Sequence, residues 1–359
     1  MLDTCEAAPL GIIEGFFGKP WPWEAREANI DFLSTQGFDF YIYAPKDDRY
    51  LRQKWRQPWP FETESKLQRL RQTCTEKNVR FGLGITPYDL HLSDSLEGLA
   101  MLREKVKALN ALKPDILCIL FDDMRGDIQT LAAQQLRIVD TICEASTAPH
   151  FIVCPTYYTS DPILDTVFGE RPAGYLEELG RQLDKQIDIF WTGEKVCSRT
   201  YSEAHLEEVA NTLNRQPFLW DNAIANDGKQ ASQFLKVAPI PERSSHLLQQ
   251  VAGVAVNPTN QAFLSRIPLL TFMEYYRSEL SEGTESIFRD VCLRLCGNTL
   301  GQLVLDNLEG FESVGYEALS RDEALLLKHS LSSFKDSPYA EEISAWLAGE
   351  FKFDPACLT

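Results

Sequence analysis

At 359 residues, 44% of them apolar, the chain is long enough for one large domain, or one domain with an appendage, around a sizeable core. Its 52 acidic against 35 basic residues leave a formal charge of −17, which argues against nucleic acid and anionic membranes as partners. No apolar run of about 18 residues reads as a membrane span, and Met1 to Pro9 is too polar and too short for a signal peptide. The nine cysteines lack zinc-type C-x-x-C spacing and many lie in apolar runs (Cys118, Cys154, Cys292), a pattern that suits free thiols in a reducing cytoplasm.

Leu10 to Glu14 predicts a first short strand, which leads into Gly15, Phe16, Phe17 and Gly18 before a helix at Trp23 to Gln36. Phe38 to Tyr43 reads as the second strand and ends in Ala44-Pro45-Lys46-Asp47-Asp48. An aromatic, basic loop through Trp55 and Trp59 follows, then a helix at Thr63 to Lys77. The third strand, Val79 to Ile85, and a helix near Ser93 to Leu109 lead to the run Ile116 to Phe121. That run is apolar on both faces, as strands of parallel sheets are, and it stops at two adjacent carboxylates, Asp122 and Asp123. Neighbours on a regular strand point to opposite faces, so both acids can reach one cavity only if the strand kinks or ends there.

The alternation continues through a helix near Ile128 to Ala145, the strand Phe151 to Cys154 ending at Tyr157-Tyr158, and a helix around Leu176. Ile187 to Trp191, a helix at Ser202 to Leu213, Pro217 to Trp220 ending at Asp221-Asn222, and Gly253 to Val256 ending at Asn257-Pro258 follow, with a last helix from Gln261 to Tyr276. Eight strand–helix units over about 275 residues match the size and rhythm of an α/β (β/α)8 TIM barrel, expected over residues 1–278. A doubly wound sheet is the alternative, but no G-x-G-x-x-G follows the first strand. Residues 279–359 read as a small C-terminal helical segment, with helices at Ile287 to Leu295, Thr299 to Phe311, Glu317 to His329 and Ala340 to Phe351, and no evident chemistry.

In such a barrel all strand C-termini meet at one face, where active sites sit. Six of those ends carry Gly15, Lys46, Asp122 with Asp123, Tyr158, Asn222 with Asp227, and Asn257. Each has a plain structural reading alone: a solvated loop for Lys46 to Asp48, a turn for Asn257-Pro258, core for Tyr158, packing for Trp220. Together they concentrate polarity at one pole. An Asp pair could hold magnesium for phosphoryl chemistry, but only Lys46 is placed for a phosphate. The histidines (His91, His150, His205, His246, His329) avoid the strand ends, which speaks against zinc. Carboxyls, amides, Tyr and exposed aromatics suit a pyranose better. An ordinary retaining glycosidase holds its two carboxyls about 5–5.5 Å apart, typically on different strands. Consecutive acids suggest another division of labour, in which one protonates the leaving oxygen and the other manages a nucleophile that the substrate provides.

The motifs Gly11 to Trp21, Tyr43 to Asp48, Leu120 to Asp123, Cys154 to Tyr158, Trp191 to Gly193, Trp220 to Asn222 with Ala225 to Asp227, and Val256 to Pro258 together resemble glycoside hydrolase family 84, the family of β-N-acetylglucosaminidases that includes the O-GlcNAcases. The resemblance implies substrate-assisted, retaining removal of terminal β-linked N-acetylglucosamine. It implies that Asp122 orients and polarises the acetamido group and that Asp123 is the general acid, then base. Gly15, through its backbone, with Lys46, Tyr158, Asn222, Asp227 and Asn257, would line the sugar pocket, and Trp220 would lie beneath it. No cofactor and no metal are expected. Phe17, Ala223-Ile224 and Glu194 depart from common family residues and bear on the aglycone, which could be a glycoprotein, a muropeptide or a chitin-type oligosaccharide. A barrel that binds N-acetylglucosamine without turning it over is the alternative.

Overall fold

The structure, a computed structural model, describes residues 8–240, 246–277 and 283–353. Its eight strands are β1 Leu10–Glu14, β2 Phe40–Tyr43, β3 Arg80–Ile85, β4 Ile116–Leu120, β5 His150–Cys154, β6 Ile187–Trp191, β7 Phe218–Asp221 and β8 Gly253–Val256. They pair in parallel in chain order, and β8 closes on β1. The expected (β/α)8 barrel is the fold the chain adopts. Parallel register sets Glu14 level with Tyr43 and Asp221 level with Val256, so the strand ends reach one face together.

The outer layer comprises α1 Trp23–Gln36, α2 Phe61–Glu76, α3 Leu96–Leu109, α4 Leu131–Ala145, α5 Ile163–Phe168, α6 Tyr175–Gln182, α7 Glu203–Leu213, α8 Leu247–Gln250 and α9 Arg266–Arg277. Every residue of β4 is buried, because one face fills the barrel and the other meets the helices. Helix α3 starts at Leu96, not Ser93, because the Ser95 hydroxyl accepts from the Gly98 N–H at 2.9 Å and caps it there. The short α5 was not expected: it lies between Pro162 and Gly169 in a stretch whose composition reads as loop.

Beyond the barrel come α10 Thr284–Cys296, α11 Asn298–Asp306, a π-turn at Gly310–Val314, α12 Arg321–Leu331 and α13 Pro338–Leu347. The helix expected at Thr299 to Phe311 ends early, and the π-turn brings Phe311 into the core at 1% exposure. Helix α12 starts later than expected, at a capping box of Ser320 and Glu323. Helix α10 packs on α9, and Glu342 of α13 accepts from the Phe263 and Leu264 N–H groups. The boundary expected at 278–279 lies outside the described residues.

Candidate active site

All nine sequence-derived candidates line one cleft at the C-terminal end of the barrel. Strand β4 ends at Leu120, and Asp123 takes a left-handed backbone with φ of 59°. Asp tolerates this region better than most residues. The break in the strand lets two consecutive side chains reach the same cleft.

Lys46, at the end of β2, is 5% exposed and donates to Asp122 Oδ2; its Nζ lies 3.8 Å from Asp123 Oδ2. Among the described residues, Asp122 Oδ1 is the one carboxylate oxygen buried without a hydrogen-bond partner. Buried polar atoms are nearly always satisfied, so this acceptor points to a donor that a ligand brings. Asp123 is about a quarter exposed and accepts from the Tyr158 hydroxyl at 3.4 Å. Burial raises its carboxyl above the usual range; the Lys46 ammonium and the Arg52 guanidinium oppose that rise, and the charges of Asp122 and Asp227 add to it.

The opposite wall is built from β7, β8 and the turn after β1. Gly15 donates its N–H to Asn257 Oδ1 at 3.2 Å, and Asn257 Nδ2 donates to Asn222 Oδ1 at 3.0 Å. The Trp220 indole N–H donates to the same Asn222 oxygen at 2.9 Å, and Asn222 Nδ2 donates to the Val196 carbonyl. Asn222 is therefore a clamp on its neighbours. A Cβ at Gly15 would stand 2.4 Å from Trp220 Cζ2, so the ring lies where only glycine permits. Asp227 Oδ2 accepts from the Phe17 N–H at 2.7 Å, and burial raises its carboxyl too.

Other polar residues near strand ends are taken up elsewhere. Arg26 grips the buried Glu14 with Nε at 2.9 Å and Nη2 at 2.6 Å. Asp48 is no solvated loop residue: it accepts from Tyr43, Trp59 and the Tyr50 N–H. Trp55 and Trp59 are buried, so these loop aromatics do not present a stacking surface. Residues the sequence did not single out also contribute. Thr192, Val196 and Cys197 line the cleft beside Phe17, the position marked above as a departure from common family residues, and Arg52 lies buried between the rings of Phe17 and Tyr88 at 5.4 and 5.1 Å. Thr192 belongs to a motif that could have suggested it, whereas Val196, Cys197 and Arg52 carry no local signal. Among the described residues no three His, Cys, Asp or Glu side chains are grouped to hold a metal, and no helix is long and apolar enough to cross a membrane.

The family described as beta-N-acetylglucosaminidase matches residues 10–304. The chain belongs to this beta-N-acetylglucosaminidase family. Protein O-GlcNAcase of Rattus norvegicus and that of Mus musculus are each 30% identical over 281 residues, covering 76% of this chain and 30% of theirs. The chain thus spans about a third of the length of the curated relatives it matches. A solved structure of a mutant Thermobaculum terrenum O-GlcNAc hydrolase is 28% identical, with a TM-score of 0.76 over 95% of this chain and 80% of that one. The likeness to glycoside hydrolase family 84 read from the strand-end motifs is the family's own.

Proposed function

We propose that this chain hydrolyses terminal β-linked N-acetylglucosamine from a glycoprotein or glycoside by substrate-assisted, retaining catalysis. The observation that carries the reading is the unpartnered, buried Oδ1 of Asp122 beside an Asp123 whose carboxyl is raised by burial. Asp122 accepts the acetamido N–H and turns the acetamido oxygen toward the anomeric carbon. As that oxygen attacks, charge develops on the amide, and the fixed carboxylate stabilises it where it forms. Asp123 gives its proton to the departing oxygen, leaving a bicyclic oxazoline whose ring N–H proton is held by the Asp122 carboxylate, and then takes a proton from the water that opens the ring, the nitrogen regaining its own from Asp122. In this reading the substrate's own acetamido oxygen takes the place of a protein nucleophile.

Gly15, Lys46, Tyr158, Trp220, Asn222, Asp227 and Asn257 serve as the sugar-binding set in this reading. Lys46 balances Asp122, and Trp220 lies under the ring. The division into a 1–278 catalytic barrel and a 279–359 appendage belongs to the same proposal. So does a cytoplasmic setting: among the described residues Cys74, Cys118, Cys143, Cys154, Cys197, Cys292 and Cys296 are all free thiols, as a reducing compartment allows.

The test replaces the substrate's acetyl group by progressively fluorinated acetyls. Lost carbonyl nucleophilicity should depress kcat in step with fluorine count, and a glucoside lacking the acetamido group should hardly turn over. A flat response, or a sugar trapped covalently on a protein carboxylate, would reject the mechanism. Binding of N-acetylglucosamine with no turnover of any N-acetylglucosaminide would instead favour a non-catalytic barrel.

A further inference from the structure

The helical segment after the barrel grips the loop that carries Asp227. Four backbone groups of residues 233–238 are held from outside. Gln233 O accepts from the Tyr316 N–H at 3.1 Å and from the Trp346 indole at 3.0 Å, and the Leu235 N–H donates to Phe311 O at 3.1 Å. The Val237 and Ala238 N–H groups both donate to Glu312 Oε1, at 2.6 and 2.7 Å, while Glu312 Oε2 pairs with Lys236 at 3.1 Å. The hold is buried, with Leu235, Val237, Phe311 and Trp346 each at 1% exposure or less. From this gripped strip the contacts run inward. Asn226, 1% exposed, donates to Phe234 O at 3.0 Å and to Gln261 Oε1 at 2.8 Å, and accepts from the Asn260 N–H at 3.0 Å. Its chain neighbour Asp227 meets the Phe17 N–H in the cleft.

We propose that Glu312, from the post-barrel segment, is a positioning residue for sugar binding: it fixes the 233–238 strip and, through Asn226, aims Asp227 into the cleft. The segment is then part of the binding machinery without touching substrate. Among its described residues the loop between β7 and β8 holds only a 3-10 turn at Ala231–Gln233 and the four-residue α8, and a long loop so thinly structured needs an external template to hold one conformation. Glu312 provides one by accepting two successive N–H groups on one oxygen. This inference rests on Asp227 being a sugar-binding residue.

The experiment is a double-mutant cycle on the full chain, read as KM and kcat for a chromogenic N-acetylglucosaminide, with melting temperature measured for each variant. Glu312→Ala should raise KM and lower kcat/KM by about tenfold, and Glu312→Gln, which keeps one carbonyl acceptor for both N–H groups, should restore most of it. In an Asp227→Ala background Glu312→Ala should add almost nothing, because the residue it positions is gone. Where the alanine variant fails to fold, Glu312→Asp serves: it keeps the charge but draws the acceptor back by one methylene, and it should raise KM in the same way. A fall in melting temperature with unchanged KM, or losses that multiply in the double mutant, would overturn the proposal. Unchanged kinetics in Asp227→Ala itself would remove the reading on which it rests, a separate outcome.

Discussion

Lys46 contacts Asp122 directly yet stands 3.8 Å from Asp123, so one buried ammonium serves two consecutive carboxylates unequally. Removing it leaves Asp122, itself buried, without its counter-charge. Lys46→Met should lower kcat/KM by more than tenfold and destabilise the fold, by up to about 3–5 kcal/mol, the range found when one partner of a buried pair is deleted. Steady-state kinetics and chemical denaturation check this together. A fully active, equally stable variant would show that the pair carries nothing.

Asp123 should matter in proportion to how badly the leaving group needs a proton. General acid catalysis is worth about 10²–10⁴-fold, most where the departing alkoxide is poor. Asp123→Asn should therefore keep much of its rate on an activated nitrophenyl glycoside and lose nearly all of it on a serine-linked sugar. The wild-type rate should also fall on the alkaline side as Asp123 gives up its proton, and because burial raises that carboxyl the fall comes at higher pH than an ordinary Asp would allow. The alkaline limb should vanish in Asp123→Asn. Equal losses on both substrates would assign the acid elsewhere.

Gly15→Ala probes the wall opposite the acids. Its Cβ would meet Trp220 Cζ2 at 2.4 Å and Cη2 at 2.9 Å, and the ring, T-packed on Phe190 at 5.2 Å, has little room to yield. Overpacking of this kind costs about 1–3 kcal/mol. The expected result is a raised KM with a lowered melting temperature. A substrate affinity equal to that of the parent would show that Trp220 does not shape the sugar site.

Glu342 gives a stability signature independent of catalysis. Burial raises its carboxyl to about 7, against backbone donors at Phe263 and Leu264 that pull the other way. A raised carboxyl favours the fold while protonated, so its contribution is intact below the ordinary Glu range near 4.5 and is lost as pH climbs through about 7. Stability relative to Glu342→Gln should decline across that window by about 3 kcal/mol at most. Parallel stability curves for the two proteins from pH 4 to 8 would refute this.

Much of the barrel is legible because each buried parallel strand is a short apolar run stopped by turn or polar residues. β4 and β6 fall where the apolar runs place them, and β2 is shorter at its start because Phe38 and Asp39 belong to the approach from α1. Eight of the nine cleft residues were readable for the same reason, since a strand end in a closed barrel fixes an address, whereas Trp220 reads as packing from the residues alone and entered only through the family resemblance. Arg52, Val196 and Cys197 were not, because their positions depend on the path of long loops that no local pattern encodes. Glu312 was invisible for a further reason: its partners are backbone groups about 75 residues earlier in the chain, and only tertiary packing brings them together.

The left-handed backbone of Asp123 sets conformational strain against chemistry at one position. A residue with a Cβ held at φ of 59° costs about 1 kcal/mol or more, a cost that Asp lightens and glycine removes. Asp123→Gly should therefore relax the backbone and remove the carboxyl together, so a variant both more stable and less active would trace the two effects to one torsion angle.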